Sequence, residues 1–252
     1  MPVALVTGAA RDRGIGRGIV LALAERGYDI AINDVAHEDE ASRRVAEGEA
    51  LGRRAIFVPA DVSRPEENIR LVTETVALLG SLDVFVANAG VARWQRLTEV
   101  APADWDFVMG VNLHGVFYGC QAAAEQMRRQ RSGGSIVVIS SVNAAMPFTP
   151  LGIYGASKHA VGLLVGVMAR EWGGDGIAVN HVGPGWVDSN INDASPDFDS
   201  EEKRAAARAT VPFGQRPTEP REIGDAVAYL ATSGIVTGAY IRVDGGLVIG
   251  KY

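Results

Sequence analysis

Apolar positions along the chain fall into two periods. Short runs rich in β-branched residues occur at Val3 to Thr7, Asp29 to Asn33, Ala55 to Val58, Leu82 to Ala87, Ser135 to Ser140, Ile177 to His181 and Tyr240 to Val243. Their near-continuous apolar character predicts seven strands covered on both faces. The intervening segments are helix-length. Ile15, Ile19, Ala22 and Leu23 recur at i, i+4, i+7 and i+8, with Gly27 placed to end that helix. Pro65 opens a second, with Ile69, Val72, Val76 and Leu79 predicted on its buried face and Gly80 after it. Pro102 begins a longer one running towards Arg129, and Ile153 to Trp172 forms another. Strand alternating with helix predicts an α/β fold: a doubly wound, seven-stranded parallel sheet with helices on both faces. No linker, repeat or charge block divides residues 1–252, so a single domain is expected. The segment Trp186 to Phe213 breaks the alternation. It is rich in Asn, Asp, Ser and Pro, with a charged helix at Glu201 to Ala209, and its length predicts a lid over residues 186–213.

Composition narrows the function more than the fold. With 24 basic and 30 acidic side chains the formal charge is −6, and no basic run exceeds two residues. A phosphate-backbone footprint is missing, which argues against nucleic acid as a partner. No apolar stretch approaches the roughly 20 residues of a bilayer span, and the start of the chain lacks a basic leader. A cytoplasmic, unprocessed protein with no membrane partner is expected. Cys120 is the sole cysteine, so disulfides and multi-thiolate zinc sites are out of reach. His37, His114, His159 and His181 show no ligand spacing, and no metal is expected.

The 30 glycines supply the first chemical lead. The first strand runs into Gly8-Ala9-Ala10-Arg11-Asp12-Arg13-Gly14-Ile15-Gly16 and then into a helix. Glycines at a strand-to-helix turn let backbone approach a pyrophosphate, while the helix start offers unpaired N–H groups and partial positive charge. Asp34 ends the second strand eighteen residues beyond Gly16, close to the spacing of about 20 expected for a carboxylate that binds the adenosine ribose. Such a carboxylate repels a 2′-phosphate and favours NAD. Arg11 and Arg13 lie in the same turn and suit a phosphate, which leaves NADP open.

The second lead is Tyr154-Gly155-Ala156-Ser157-Lys158, where Tyr and Lys are four apart on one helical face, about 5 to 6 Å from each other. A cation at about that distance favours phenolate by roughly 3 kcal/mol at an effective dielectric of about 20, on the order of two pKa units. Tyr154 is thus expected to have a lowered pKa, within reach of general acid–base work.

With these residues in place, the chain resembles the short-chain dehydrogenase/reductase family over essentially its whole length, which implies a single-domain Rossmann fold. Thr7-Gly8 through Gly14-Ile15-Gly16 is similar to the family's cofactor turn; Asp61-Val62 matches its acidic residue near the adenine, and Asn88-Ala89-Gly90 the segment after its fourth strand. Val111-Asn112 stands where the family has a structural and proton-relay Asn, and Ser141 lies thirteen residues before Tyr154, the interval of the family's catalytic Ser. Pro184-Gly185-Trp186-Val187-Asp188-Ser189 resembles the turn that packs on the nicotinamide, and Asp244-Gly245-Gly246 the C-terminal signature. Two departures stand out. The turn carries two extra residues within Arg11-Asp12-Arg13, and Ala87 replaces the first Asn of N-N-A-G.

The resemblance implies Asn112, Ser141, Tyr154 and Lys158 as catalytic residues. Tyr154 would exchange a proton with the reacting oxygen, Ser141 donate to that oxygen, Lys158 bind the nicotinamide ribose, and Asn112 hold a water beside Lys158. It implies cofactor contacts at Gly8, Arg13, Gly14, Ile15, Gly16, Asp34, Asp61, Val62, Asn88, Gly90, Tyr154, Lys158, Pro184, Gly185, Val187 and Ser189. Trp94, Asn143, Phe148, Trp186, Asn190 and Asn192 lie in loops beyond strand C-terminal ends, where open α/β sheets bind ligands. Amides mixed with aromatics suit a sugar, sugar acid or polyol, with Ser141, Asn143, Tyr154, Trp94 and Trp186 as substrate residues. The competing reading is an NADPH-dependent 3-oxoacyl thioester reductase, and a more remote one is a dinucleotide sensor without catalysis. Helices 102–129 and 153–172 carry apolar residues on more than one face, and the family resemblance implies a homotetramer.

Overall fold

A computed structural model of the chain describes residues 1–193, 195 and 199–249. The seven predicted strands are all present: β1 (Val3–Val6), β2 (Asp29–Asp34), β3 (Ala55–Pro59), β4 (Val84–Ala87), β5 (Gly134–Ile139), β6 (Ile177–Pro184) and β7 (Tyr240–Val243). They form one parallel sheet in the order β3-β2-β1-β4-β5-β6-β7. The order reverses between β1 and β4, and a crevice opens beyond the C-terminal ends of the strands there.

Alternation along β1 explains the two layers. Val3 and Leu5 face a core built with α3 (Pro65–Leu79), α5 (Val116–Gln130) and α6 (Gly152–Trp172), where Phe85, Met127 and Ile136 are fully buried. Ala4 and Val6 face the opposite core, where Ile19 and Leu23 of α1 (Ile15–Glu25) meet Ile223 and Val227 of α8 (Pro220–Thr232). Each such aliphatic side chain contributes about 1.5–3 kcal/mol by leaving water. Helix α2 (Glu38–Ala50) flanks α1, α4 (Pro102–Met109) precedes α5, and α7 (Glu201–Ala209) lies in the segment between β6 and α8.

Two sequence expectations are corrected. Ile69 is 62% exposed, and α3 instead buries Asn68, Leu71, Val72, Thr75 and Leu79. Two polar side chains find backbone acceptors on the buried face: the Asn68 amide nitrogen donates to the Val62 and Arg64 carbonyls, and the Thr75 hydroxyl to that of Leu71. The predicted helix from Pro102 to Arg129 is interrupted by a π-helical segment at Gly110–Gly115, a distortion that often accompanies a functional position. Asn112 sits in it, with its side chain turned inward.

His181 of β6 is buried and stacks on Tyr240 of β7, ring centroids 4.5 Å apart. Burial pushes its pKa down to about 4 from the ordinary 6.5. The unfolded chain therefore binds the extra proton first as pH falls, and stability present above pH 6.5 is lost towards pH 4. Urea unfolding should show about 2 kcal/mol of this loss by pH 5. His181→Leu should abolish that component; an unchanged pH dependence in the variant would assign the acid lability elsewhere.

Candidate active site

The C-terminal ends of β1, β4, β5 and β6 open into a cavity of about 570 Å³ lined by Ile15, Asn88, Gly90, Ser141, Asn143, Tyr154, Lys158, Pro184, Gly185, Val187 and Ser189, among others. The turn after β1 fits against β4 because residue 8 is glycine. Its φ is +60°, and a Cβ there would stand 2.7 Å from the Ala89 Cα. Asn88 fastens the same junction, donating from Nδ2 to the Thr7 and Gly8 carbonyls at 2.8 and 2.9 Å. Helix α1 then starts at Ile15 after Gly14, with no side chain capping it. Asp34, at the end of β2, accepts from the backbone N–H groups of Ala10 and Val35.

The end of strand β5 and helix α6 bring Ser141, Tyr154 and Lys158 together. Ser141 caps the short turn Val142–Ala144, its hydroxyl accepting from the Asn143 N–H at 3.1 Å. The hydroxyl proton is left available, and Ser141 lies within hydrogen-bonding reach of the Tyr154 phenol. Lys158 is buried, donates from Nζ to the Ile139 carbonyl at 2.8 Å, and lies 5.7 Å from the centre of the Tyr154 ring. Behind them, Asn112 donates to the Val91 carbonyl and the Ser157 hydroxyl and accepts from the Val91 N–H. Ser157 in turn donates to the Tyr154 carbonyl at 2.7 Å. Asn112 is fully buried and braces the turn that carries Tyr154 from behind.

The electrostatics differ from the sequence expectation. Burial pushes the Tyr154 phenol up, and the hydrogen bond with Ser141 offsets only part of this. Lys158 is itself pushed down by burial, to about 8. Tyr and Lys are adjacent as the i, i+4 spacing requires, but burial moves both away from their charged forms.

Other predicted residues divide. The three side chains around the insertion reach two places, α2 and the segment beyond β6. Arg11 donates to His37 at the start of α2, Asp12 pairs with Arg43 and Arg44 of α2, and Arg13 bridges Asp188 and Asp193 beyond β6 at 2.9 and 3.2 Å. Asp61 turns its carboxylate onto Ser63, and Val62 is buried beside it. Gly16 is buried in α1. Trp94, Asn143, Phe148, Trp186 and Asn192 line the cavity, whereas Asn190 donates to Asp193. Lys203, Ala206, Ala207 and Thr210, on and just after α7, were missed as lining residues. Their i, i+3, i+4, i+7 spacing was the available signal. The lid expected over residues 186–213 is tied at its base, where the Thr218 N–H donates to the Trp186 carbonyl; its positions 194 and 196–198 lie outside the described residues.

The residues fit a nicotinamide dinucleotide. An uncapped helix start suits a pyrophosphate, the Asp34 carboxylate suits a ribose diol, and the Lys158 ammonium beside Tyr154 suits a second ribose. Gly90 keeps bare backbone where a Cβ would stand 3.5 Å from Lys158 Nζ.

Comparison with known proteins agrees with this geometry. The family model described as enoyl-(acyl carrier protein) reductase matches residues 8–248. A 3-oxoacyl-(acyl-carrier-protein) reductase from Staphylococcus aureus is 39% identical over 246 residues, 97% of each chain. An L-rhamnose 1-dehydrogenase (NAD(P)(+)) from a Sphingomonas species is 38% identical over 97% of this chain and 95% of its own. The crystal structure of a gluconate 5-dehydrogenase from Burkholderia cenocepacia in complex with NADP and tartrate superposes with a TM-score of 0.90 at 33% identity, covering 98% of this chain and 95% of that one. Parallel sheet, glycine turn, and a Ser, Tyr and Lys gathered at one crevice thus coincide with full-length sequence similarity, and the chain belongs to the short-chain dehydrogenase/reductase family of oxidoreductases.

Proposed function

We propose that the protein moves a hydride between NAD and a secondary alcohol or ketone of a small polyhydroxylated molecule, a sugar, sugar acid or polyol. The observation that carries the reading is that Asn143, Asn192, Trp94 and Trp186 line the same cavity as Ser141 and Tyr154. Amides select hydroxyls by paired hydrogen bonds and aromatic faces cover sugar C–H edges. The similarity to rhamnose and gluconate dehydrogenases supports the same class.

In oxidation, Tyr154 takes the hydroxyl proton of the substrate, and the Ser141 hydroxyl donates to the same oxygen as charge develops on it. The dinucleotide supplies the hydride acceptor when bound. Lys158 holds the nicotinamide ribose beside the phenol. Asn112, its amide engaged by Val91 and Ser157, acts by fixing the Tyr154 turn. Because burial raises the Tyr154 pKa above the ordinary phenol value, phenolate is favoured only by alkaline pH, so oxidation should gain with rising pH and reduction lose.

NAD is favoured because Asp34 stands at the ribose end, and Arg13, one of two candidate partners for a 2′-phosphate, is matched by Asp188 and Asp193. A 3-oxoacyl thioester reductase using NADPH is the second reading, favoured by the relative of that activity at 39% identity and by the apolar Ile191 and Leu247 in the cavity. Absorbance at 340 nm over a panel of sugars, aldonates, polyols and a 3-oxoacyl thioester, each with both dinucleotides, separates them. Turnover of hydroxylated substrates with NAD is expected; preference for the thioester with NADPH would install the second reading, and no turnover would leave a dinucleotide sensor.

Residues 186–213 are proposed to close over the cavity as a lid, and dinucleotide should then slow tryptic cleavage at Arg204 and Arg208. A homotetramer is proposed from Trp105 and Phe107 on α4 and Leu163 and Val167 on α6, all more than 40% exposed; sedimentation at the mass of one 26.6 kDa chain would refute it.

A further inference from the structure

Tyr240 opens the edge strand β7, two strands away from Ser141, yet its hydroxyl donates to the Ser141 carbonyl at 3.0 Å. The reach is possible because of what lies between. The Tyr240 ring stacks on His181 of β6, with ring centroids 4.5 Å apart and planes 24° from parallel. It then crosses residue 183, where a Cβ would stand 2.2 Å from the Tyr240 oxygen, so only glycine leaves the passage open. His181, Gly183 and Tyr240 are therefore one device, a ring laid across β6 to hold the end of β5.

The rest of that end of β5 is held by β6 and α6, with the Ile139 carbonyl accepting from Lys158 Nζ. The Ser141 carbonyl also receives the Ala144 N–H within its own turn, and Ser140 is tied to Val182 and to the Lys158 carbonyl. From outside the turn, the His159 ring contacts the Ala144 carbonyl at its far end, and Tyr240 supplies the side-chain contact at its Ser141 end. We propose that Tyr240 is a positioning residue for the reaction, its hydroxyl fixing the Ser141 carbonyl and through it the place of the Ser141 hydroxyl above Tyr154. Burial pushes the Tyr240 phenol up to about 12, so it remains a donor across the working range of pH. The inference rests on the roles given to Ser141 and Tyr154 above and holds for either substrate class.

Tyr240→Phe keeps the ring on His181 and removes only the donor. With the preferred substrate and dinucleotide, kcat should fall roughly threefold to tenfold, the worth of one such hydrogen bond. Dinucleotide affinity should stay unchanged, and the alkaline rise of the kcat–pH profile should move to higher pH, because a displaced Ser141 hydroxyl supports the phenolate less. A purely structural role would lower the melting temperature and leave both kcat and that limb in place, which would overturn the proposal. The second arm is a cycle with Ser141→Ala. In that background Tyr240→Phe should have no further effect on the residual rate, and an equal fractional loss in both backgrounds would show that Tyr240 does not act through Ser141. If Tyr240→Phe does not fold, Gly183→Ala, which displaces the hydroxyl while keeping it, should reproduce the kcat loss and pH shift, and wild-type values would refute the device. An inactive wild type sinks the proposed function itself, whereas an active wild type with an indifferent Tyr240→Phe sinks this inference alone.

Discussion

Tyr154→Phe should lower kcat by roughly 10²–10⁴-fold, the range for removing a positioned acid–base group, with dinucleotide affinity close to wild type. The phenol lies within hydrogen-bonding reach of the Ser141 hydroxyl, and the substitution deletes one oxygen from a half-buried ring whose backbone is held by Ser157. The loss should appear equally in kcat and kcat/KM, since the proton moves only in the transition state. Dinucleotide binding by fluorescence and turnover at 340 nm provide the check. Turnover within threefold of wild type would remove Tyr154 from the chemistry.

Lys158→Met carries an effect of opposite sign on stability. Burial lowers the Lys158 pKa from 10.5 to about 8. Below pH 8 the folded protein therefore holds a desolvated cation at a cost of about 3 kcal/mol, relieved as pH rises from about 8 towards 10.4, where the unfolded chain binds more protons than the folded one. Removing the cation should raise stability at pH 7 by about 1–3 kcal/mol, part of the gain being offset by the lost bond to the Ile139 carbonyl. Turnover should fall by about 10² or more as ribose binding and support of the phenolate are lost together. Urea unfolding at pH 7 and pH 9.5 reads both signs: the advantage of the variant should shrink at the higher pH. A variant less stable than wild type at pH 7 would mean that the ammonium is well solvated where it stands. A residue that costs stability and is needed for turnover is the usual bargain at a reactive site.

Strand positions were legible because covered parallel strands are written as short apolar runs, and each observed strand begins or ends within three residues of the expectation. The α3 face was misread at Ile69 because hydrophobicity ranks side chains without knowing which polar ones will find backbone acceptors inside, as the Asn68 amide nitrogen and the Thr75 hydroxyl do. The π segment at 110–115 was not legible either, since its residues keep a helical apolar pattern. Within the site, the glycine turn, Asp34 and the Tyr154–Lys158 pair could be read from local spacing, and Ser141 from family resemblance. Arg13 was read as a cofactor contact, and its pairing with Asp188 and Asp193 joins segments more than 170 residues apart.

Periodicity and turn chemistry act over a few residues, so the strands in their order of appearance and the Tyr154–Lys158 pair on one helix were already contained in the chain. The depth of the crevice was not, and that depth reverses the expected shift of Tyr154, because the cost of desolvation depends on everything packed around a group. Nor was the path of Tyr240 across Gly183 to Ser141, which exists only once β5, β6 and β7 lie side by side. Local order is a property of neighbouring residues, whereas dielectric surroundings and long-range hydrogen bonds arise from the folded assembly of the elements.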